Sequence, residues 1–407
     1  MPHARTASIG LFVAAGGRQD PPGRAGLAHF LEHMVFKGSR HRSGQTLAEA
    51  MDELGGQFNA FTEREFTCFH AHALPEQLPA ALELLGELVL APRLDVHDAR
   101  AERQVILEEL AMLADDPAET ADELLSAALW GRHPLGRPLA GTGRSVRSLG
   151  VADLERFRRE HYVGRRLVLA AAGDLDPGVV LSLAQSVLGE VPAGLEPEAP
   201  PRPQGHAGVR RIIRDSAQAH LVLGRAGPDA RSPERFVAAL WASLLGGSPS
   251  SRLFRALREE RGLCYDVGAS ATLYADAGEV AVFVATTPGQ AAEAAELLLG
   301  EVRALGRDGP GAEEVARHQR LLLAGLWMGQ ETPEGRMLQL GRVTTAHLPW
   351  LEPEALAAAL AAVRPEEIAR LGGALGDPAG WAAAVVGPSW AAPAPFAWRE
   401  ESGVAAL

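Results

Sequence analysis

Two histidines and a glutamate stand close together in the segment AHFLEHMVFKG, residues 28–38. Helix-forming residues fill positions 27–37, so the segment is predicted to be a helix. His29 and His33 are four residues apart and would project from one face of that helix, about one turn from each other. Two imidazoles in this arrangement can bind a single Zn²⁺ ion.

Glu32 lies next to His33 and on the flank of the same helix face. A carboxylate in that position can take a proton from metal-bound water without being a ligand, which is the placement of a general base. A catalytic zinc site needs three protein ligands and an open position. The third ligand must therefore come from another part of the chain.

Candidates for that ligand lie in the segment DVHDARAERQVILEELAML, residues 95–113. Its apolar period predicts a long helix, with Asp95 as the N-cap. Glu102 and Glu109 are two turns apart and share one face. Either could be the third ligand, with the other holding the Nδ1–H of a histidine, and spacing alone leaves the choice open.

Each part of this pattern also has an ordinary explanation. Histidine pairs at this spacing are often surface residues, and glutamate-rich helix faces are usually solvated. The order H-x-x-E-H is the inverted zincin motif, however, and a carboxylate-bearing helix follows it, so the joint pattern favours a metal site. His70 and His72 form a rival pair on one strand face, for which we expect packing or surface roles.

The chain also contains an internal repeat. PEQLPAALELLGELV, from Pro75, aligns with PGQAAEAAELLLGEV, from Pro288, at an offset of 288 − 75 = 213. RLVLAAAGDL and GWAAAVVGPS likewise place Gly173 against Gly387. Each half reads as strand, turn and amphipathic helix. The second half has no histidine around RFVAALWASLLGG, which predicts that only the first half keeps a metal site.

This pattern predicts an α+β fold of two homologous domains, each a largely antiparallel sheet packed against helices. Residues 191–208 carry five prolines and no hydrophobic period, as expected of an extended linker. The predicted division is a catalytic zinc-binding domain at 1–190, the linker at 191–208 and a homologous domain without metal at 209–407.

Composition limits the partners. The formal charge is −12 and no basic cluster stands out, so nucleic acid is not expected as a partner. No apolar run approaches the roughly 20 residues that span a bilayer, and no signal-peptide pattern is present. We therefore expect a soluble, cytoplasmic protein without a membrane partner.

The motifs HFLEHMVFKG, GGQFNAFTERE, ERQVILEE and SSRLFRALREERGLCY, in that order, resemble the insulysin, pitrilysin and mitochondrial processing peptidase family of inverted zincins, in its smaller bacterial branch. The resemblance covers almost the whole chain and implies a zinc endopeptidase. The ligands it implies are His29, His33 and Glu109. It also implies Glu32 as the general base and Glu102 as a support behind the ligands.

The resemblance further implies substrate-binding residues in both halves. Tyr265 would stabilise the oxyanion and Arg258 would hold the peptide backbone. Without the resemblance, both would read as ordinary surface and core residues. The run FNAFT is similar to the family's edge strand, on which an extended peptide adds as a further strand. The residues of that run assigned to substrate binding are Phe58, Asn59, Ala60 and Phe61.

Family members enclose a chamber that admits short or unfolded peptides, so the resemblance implies a homodimer that completes the enclosure. The expected function is a Zn²⁺-dependent endopeptidase acting on peptides or unfolded segments. The alternative is a non-catalytic scaffold or peptide-binding subunit of the same fold. The family normally has one more strand ahead of TASIGLFVAAGG, so either the true start lies upstream of Met1 or a sheet edge is exposed.

Overall fold

The computed structural model describes residues 1–195 and 201–389. The chain divides into two compact units, and neither is contiguous in sequence. Unit 1 consists of Met1–Ala111, Arg137–Pro200 and Trp327–Trp350. Unit 2 consists of Met112–Gly136, Pro201–Leu326 and Leu351–Leu407.

The described ranges contain both strands and helices, as expected for an α+β chain. The strands are β1 (Ala7–Val13), β2 (Gln57–Thr62), β3 (Thr67–Ala73), β4 (Leu167–Gly173), β5 (Val209–Ile213), β6 (Ala219–Gly227), β7 (Cys264–Leu273), β8 (Gly278–Thr286) and β9 (Ala382–Gly387). The helices are α1 (Leu27–Val35), α2 (Gly44–Glu53), α3 (Leu78–Leu90), α4 (Val96–Asp115), α5 (Pro117–Trp130), α6 (Gly143–Ser148), α7 (Val151–His161), α8 (Pro177–Leu188), α9 (Arg235–Gly246), α10 (Ala291–Asp308), α11 (Ala312–Glu331), α12 (Pro333–Thr345), α13 (Pro353–Ala361) and α14 (Pro365–Leu375). None of the helices in these ranges is both long and apolar enough to cross a membrane.

The sheet of unit 1 has the strand order β2-β3-β1-β4, and every neighbouring pair is antiparallel. The central strand β1 is buried along its whole length because helices cover both of its faces. Ile9 and Leu11 join the core formed with α1 and α3. Phe12, on the opposite face, packs in a second cluster with Met337 of α12. A strand buried on both faces reads as a continuous apolar run, as ASIGLFV does.

The sheet of unit 2 has the order β5-β9-β6-β8-β7. Strand β5 is parallel to β9, and the other neighbours are antiparallel. The order β7-β8-β6-β9 repeats the order β2-β3-β1-β4 of the first sheet. This repetition confirms the predicted duplication and the largely antiparallel α+β architecture. Within the described residues, β5 has no counterpart beside β4.

The equivalent strands β4 and β9 each end at a glycine, as the sequence repeat indicated. Gly173 and Gly387 have φ values of 132° and 143°. A Cβ on Gly173 would lie 2.5 Å from the Cα of Ala7. Only glycine tolerates both this conformation and this close approach.

Helices α5 and α12 are exchanged between the two halves of the chain. Helix α5 belongs to the first half in sequence but packs on β6 and β9. Helix α12 belongs to the second half in sequence but packs on β1 and β4. Compactness thus groups residues from both halves of the chain, whereas the predicted ranges 1–190 and 209–407 follow the sequence repeat and stay a prediction. An amphipathic helix can bury its apolar face on either of two similar sheets, and periodicity does not specify which.

Candidate metal centre

Helix α1 carries the H-x-x-E-H motif in unit 1. Its apolar stripe, which includes Phe30 and Met34, is fully buried in the core. His29, Glu32 and His33 lie on the opposite stripe and are partly exposed. The helix spans Leu27–Val35, in agreement with the predicted range of 27–37. Burial of the apolar stripe thus fixes the direction in which the motif points.

The start of α1 is held by Asp20, which was not identified from the sequence. Its buried carboxylate accepts hydrogen bonds from the backbone N–H groups of Gly26, Leu27 and Ala28 at 2.7, 3.1 and 2.9 Å. The N-cap residue Gly26 has no side chain to do this and has a φ of 88°. Asp20 therefore satisfies the helix start from six residues upstream, a distance at which capping patterns give no signal.

The two histidines and Glu109 converge on one point. The Nε2 atoms of His29 and His33 are 3.3 Å apart. Glu109 Oε2 lies 3.8 Å from the first and 3.6 Å from the second. Ligands arranged tetrahedrally at about 2.1 Å from a zinc ion are roughly 3.4 Å from one another. The three donor atoms therefore have the separations that a single ion of this kind requires.

Two buried polar atoms in this group have no hydrogen-bond partner among the described residues. They are Nδ1 of His29 and Oε2 of Glu109. Burial, together with the neighbouring charge of His33, lowers the pKa of His29 to about 4. A neutral imidazole and an unsatisfied carboxylate oxygen are the forms that coordinate a metal ion. The chemistry of the donor set thus fits zinc as well as its geometry does.

Glu102 lies behind His33 and not among the converging donors. Its Oε1 is 3.0 Å from Nδ1 of His33, which donates to it. Its Oε2 is 2.5 Å from Nζ of Lys37. The two glutamates of α4 therefore contact opposite sides of the same imidazole. Spacing left both glutamates open as the third ligand, and of the two only Glu109 approaches the Nε2 atoms.

Glu32 is fixed by a threonine at the end of β2. Thr62 Oγ1 donates a hydrogen bond to Glu32 Oε2 at 2.5 Å. Burial raises the pKa of Glu32, while the bond from Thr62 and the charge of His33 oppose that rise. A carboxylate with a raised pKa is a stronger proton acceptor, which suits a general base. Thr62 lies inside a motif that was recognised, but its contact with Glu32 was not predicted.

Strand β2 carries the four residues assigned to substrate binding and is an edge of the first sheet. Phe58 and Ala60 pack against the core that contains α1, while Asn59 between them is exposed. Phe61 points to the other face, 6.0 Å from the ring of His70. One side of β2 pairs with β3, and its other side faces no strand of the described sheet.

Arg258 and Tyr265 lie together in unit 2. Arg258 is in a π-helical segment, Phe254–Glu259, and donates to the backbone carbonyl of Tyr265 at 2.7 Å. Its guanidinium also lies 4.6 Å from the centroid of the Tyr265 ring. Strand β7 has a bulge at Tyr265, whose side chain is 74% exposed. A bulge re-aims one side chain out of the regular alternation, which explains the exposure of this aromatic residue.

The corresponding positions of unit 2 lack the donor set. Helices α4 and α11 begin at residues 96 and 312, so their offset is 312 − 96 = 216. His318 then stands at the position of Glu102, and Gly325 at that of Glu109. His318 Nδ1 lies 2.9 Å from the hydroxyl of Ser243 on α9. The residue at the position of Glu102 therefore forms a buried hydrogen bond with a serine.

Other clusters of potential ligands are less suited to an ion. Asp95, His97 and Asp98 are near one another but largely exposed, and Asp95 serves as the N-terminal cap of α4, as predicted. The rival histidines of β3 have separate partners. His72 is 2.7 Å from the hydroxyl of Ser8, and His70 is 3.5 Å from a carboxylate oxygen of Glu334.

A duplicated α+β fold in which a helix-borne pair of histidines converges with a glutamate, with a partly buried carboxylate beside them, is typical of the class of metallopeptidases. Comparison with family models identifies the particular family. The model described as Insulinase (Peptidase family M16) matches residues 1–143, and that described as Peptidase M16 inactive domain matches residues 148–322. The chain belongs to peptidase family M16.

Similar proteins agree with this assignment. A protein of Mycobacterium bovis named an uncharacterized zinc protease is 37% identical over 347 residues, covering 84% of this chain and 79% of the relative. A Bacillus subtilis protein with the same description is 30% identical over 341 residues, covering 84% and 83%. A crystal structure from Pseudomonas fluorescens, titled as a peptidase M16 inactive domain, superposes with a TM-score of 0.88 at 22% identity, covering 97% of this chain and 95% of that one.

Proposed function

We propose that this protein is a zinc-dependent endopeptidase that hydrolyses peptides or unfolded polypeptide segments. The observation that carries the proposal is the convergence of His29, His33 and Glu109, whose donor atoms lie 3.3–3.8 Å from one another, beside the partly buried carboxylate of Glu32. The relatives named zinc proteases support zinc as the ion. The three converging residues would hold it as an H-x-x-E-H inverted zincin.

The chemistry follows from what each side chain does. Zinc supplies Lewis-acid polarisation and lowers the pKa of water. Glu32 takes the proton of the attacking water and later delivers it to the nitrogen of the leaving amine. Thr62, through its bond to Oε2, keeps the carboxylate of Glu32 in one orientation. Glu102 fixes the imidazole of His33 through Nδ1 and leaves Nε2 for the ion.

Substrate binding is proposed for the residues that the motifs indicated. An extended peptide would pair with the edge of β2 along Phe58, Asn59, Ala60 and Phe61. Such pairing uses backbone groups and therefore tolerates varied sequences. Tyr265 would donate its exposed hydroxyl to the oxyanion, and Arg258 would bind the peptide backbone while packing on the tyrosine ring.

The decisive experiment is the substitution Glu32→Gln. It keeps the shape of the side chain and removes the base, so zinc content measured by elemental analysis should stay near one ion per chain. Cleavage of a quenched, unstructured peptide should fall roughly 10²–10⁴-fold. Glu108→Gln, on the exposed side of α4, is the matched control and should change neither quantity.

Chelation and zinc add-back complete the test on the wild-type protein. Loss of cleavage on chelation and its return with zinc support the peptidase. Zinc binding without cleavage would instead favour the non-catalytic scaffold or peptide-binding subunit, and absence of zinc would contradict the metal site itself.

A homodimer that encloses the substrate, and a cytoplasmic location, remain predictions. The mass in solution, measured by light scattering at several protein concentrations, tests the first. Cleavage of a folded domain at the same rate as an unstructured peptide would contradict an enclosed chamber.

A further inference from the structure

Lys37 is the only lysine in the sequence, although the chain has 39 basic residues. Its ammonium lies 2.5 Å from Oε2 of Glu102, whose Oε1 accepts from Nδ1 of His33. We propose that Lys37 is a positioning residue of the metal centre, which acts by holding the Glu102 carboxylate against His33. The inference rests on the proposed zinc site. It adds a residue to which the motif chemistry gives no role.

The backbone around Lys37 keeps its side chain near Glu102. The residue lies two positions after the end of α1, and its N–H donates to the carbonyl of Met34 at 3.1 Å. Its own carbonyl accepts from Arg93 at 3.3 Å. The lysine is thus attached to the same helix that carries His33, so one rigid element presents both partners of the carboxylate.

Glu102 needs such a partner because it is buried. Its side chain is 7% exposed, whereas that of Lys37 is 40% exposed. A buried carboxylate with only one oxygen satisfied bears a desolvation cost, which it can reduce by rotating toward water. That rotation would break the bond to Nδ1 of His33 and release the imidazole from its orientation. The ammonium on Oε2 opposes this movement.

What distinguishes this pair is the second partner of the carboxylate. Arg156 and Asp153 are joined at 2.8 Å with comparable exposures of 46% and 13%, but Asp153 caps the start of α7 through Gly150 and not a histidine. Ion pairs with one exposed member contribute little by themselves, so a role for Lys37 depends on the imidazole that Glu102 contacts. Lysine and arginine are also not interchangeable at a buried carboxylate, since the ammonium is a compact point charge and the guanidinium a wide planar fork. Lys37 is the one lysine among the 39 lysine and arginine residues of the chain. Its presence at this position therefore points to a local requirement for the smaller ammonium group.

The test is the zinc dissociation constant, measured by competition with a chromophoric chelator, for the variant Lys37→Met. This change removes the charge and keeps most of the aliphatic stem. Loss of a group that supports a metal ligand from behind typically costs 10–100-fold in affinity, and we expect a rise in the dissociation constant of about that size. Arg156→Met is the matched control and should stay within about twofold of the wild type.

A double-mutant cycle separates positioning from a general effect on folding. If Lys37 acts through Glu102, Lys37→Met should change the dissociation constant less than about threefold once Glu102→Gln is present. The thermal midpoint of the zinc-free proteins is measured alongside. Equal losses in both backgrounds, or an unchanged dissociation constant for Lys37→Met alone, would overturn the inference.

Chemical modification tests the same point on protein that is already folded. An amine-specific acetylating reagent can neutralise only Lys37 and the chain's α-amino group, because the sequence has no other lysine. Acetylated wild-type protein should bind zinc roughly 10–100-fold more weakly than untreated protein. Lys37→Arg, treated in the same way, should show no further change, since only its α-amino group reacts. Equal effects of the reagent on both proteins would contradict the proposal.

These measurements also test the proposed function and the role of Lys37 separately. Wild-type protein that binds no zinc would contradict the proposed function. Wild-type protein that binds zinc, together with an undiminished affinity in Lys37→Met, would contradict only the role of Lys37.

Discussion

At the scale of single residues, three carboxylates within one small region have different roles because they contact different atoms. Glu109 faces the Nε2 atoms of the two histidines. Glu102 faces Nδ1 of His33 and the ammonium of Lys37. Glu32 contacts neither histidine ring in this way and is held by a threonine hydroxyl. The roles proposed for them, as a donor, a positioning group and a base, therefore rest on their neighbours and not on their chemical type.

The hydroxyl of Thr62 provides a prediction about the base. Thr62→Val removes the donor to Glu32 and leaves the volume nearly unchanged. Because a hydrogen bond to a charged group contributes about 1.5–3 kcal/mol, we expect kcat to fall at least about tenfold while zinc content stays constant. Thr62→Ser, which keeps the hydroxyl, should retain most of the activity. A wild-type kcat in the valine variant would contradict a role for this bond.

The hydroxyl of Tyr265 provides a second prediction. Tyr265→Phe keeps the ring that packs against Arg258 and removes only the proposed oxyanion donor. Loss of one such donor typically lowers kcat about 10²–10³-fold, and we expect a decrease of that order with zinc affinity unchanged. Steady-state kinetics on the quenched peptide provide the measurement. A change in KM alone would assign the tyrosine to ground-state binding instead.

At the scale of elements, the orientation of α1 determines the site. The helix is short, buried along one stripe and capped by Asp20 through three backbone N–H groups. Helix α4 then presents glutamates two turns apart to opposite sides of one imidazole. Two helices and one capping side chain thus position the three donors. The proposed base, Glu32, is held in addition from β2, because Thr62 is the last residue of that strand.

The cap of α1 can be tested against a second cap in the same unit. Asp20→Ala leaves buried N–H groups at the helix start without a partner, so we expect a loss of about 2 kcal/mol in the free energy of unfolding. The dissociation constant for zinc should also rise, because the donors of α1 lose their fixed direction. Asp176→Ala removes the cap of the exposed helix α8 and should cost about 1 kcal/mol without affecting zinc. Equal effects of the two changes on zinc binding would contradict the positioning role of Asp20.

At the scale of the whole molecule, the exchange of α5 and α12 makes each compact unit depend on both halves of the chain. Met337 of α12 is fully buried and packs with Phe12 in unit 1. Leu125 of α5 is 1% exposed and packs with Val222 in unit 2. Each half alone would therefore expose an apolar sheet face that the other half's helix covers.

This dependence predicts the behaviour of fragments. A fragment of residues 1–195 should lack a cooperative thermal transition and should bind a hydrophobic dye, since the face of β1 and β4 under α12 is uncovered. Co-expression with residues 201–407 should restore a cooperative transition and zinc binding. The intact chain is the control. A 1–195 fragment that unfolds cooperatively and does not bind the dye would show that α12 is dispensable for unit 1.

Much of the secondary structure of this protein was predictable because the residue patterns that specify it are local. The spacing of His29 and His33, the capping position of Asp95 and the alternation of the strands each depend on residues a few positions apart. Periodicity and capping chemistry therefore placed α1 and α4 to within two residues, and the repeated pattern predicted two similar sheets.

The sequence by itself thus determined the α+β class, the duplication and the helix that carries the metal motif. Tertiary structure alone decided that Glu109 and not Glu102 approaches the Nε2 atoms, that α5 and α12 are exchanged, and which residues contact the site from elsewhere in the chain. These are Asp20 at the start of α1, Thr62 at Glu32 and Lys37 at Glu102. These features depend on contacts between residues far apart in the chain. Such contacts are selected by burial and by the pairing of buried polar groups, and no local period records which distant partner will be chosen.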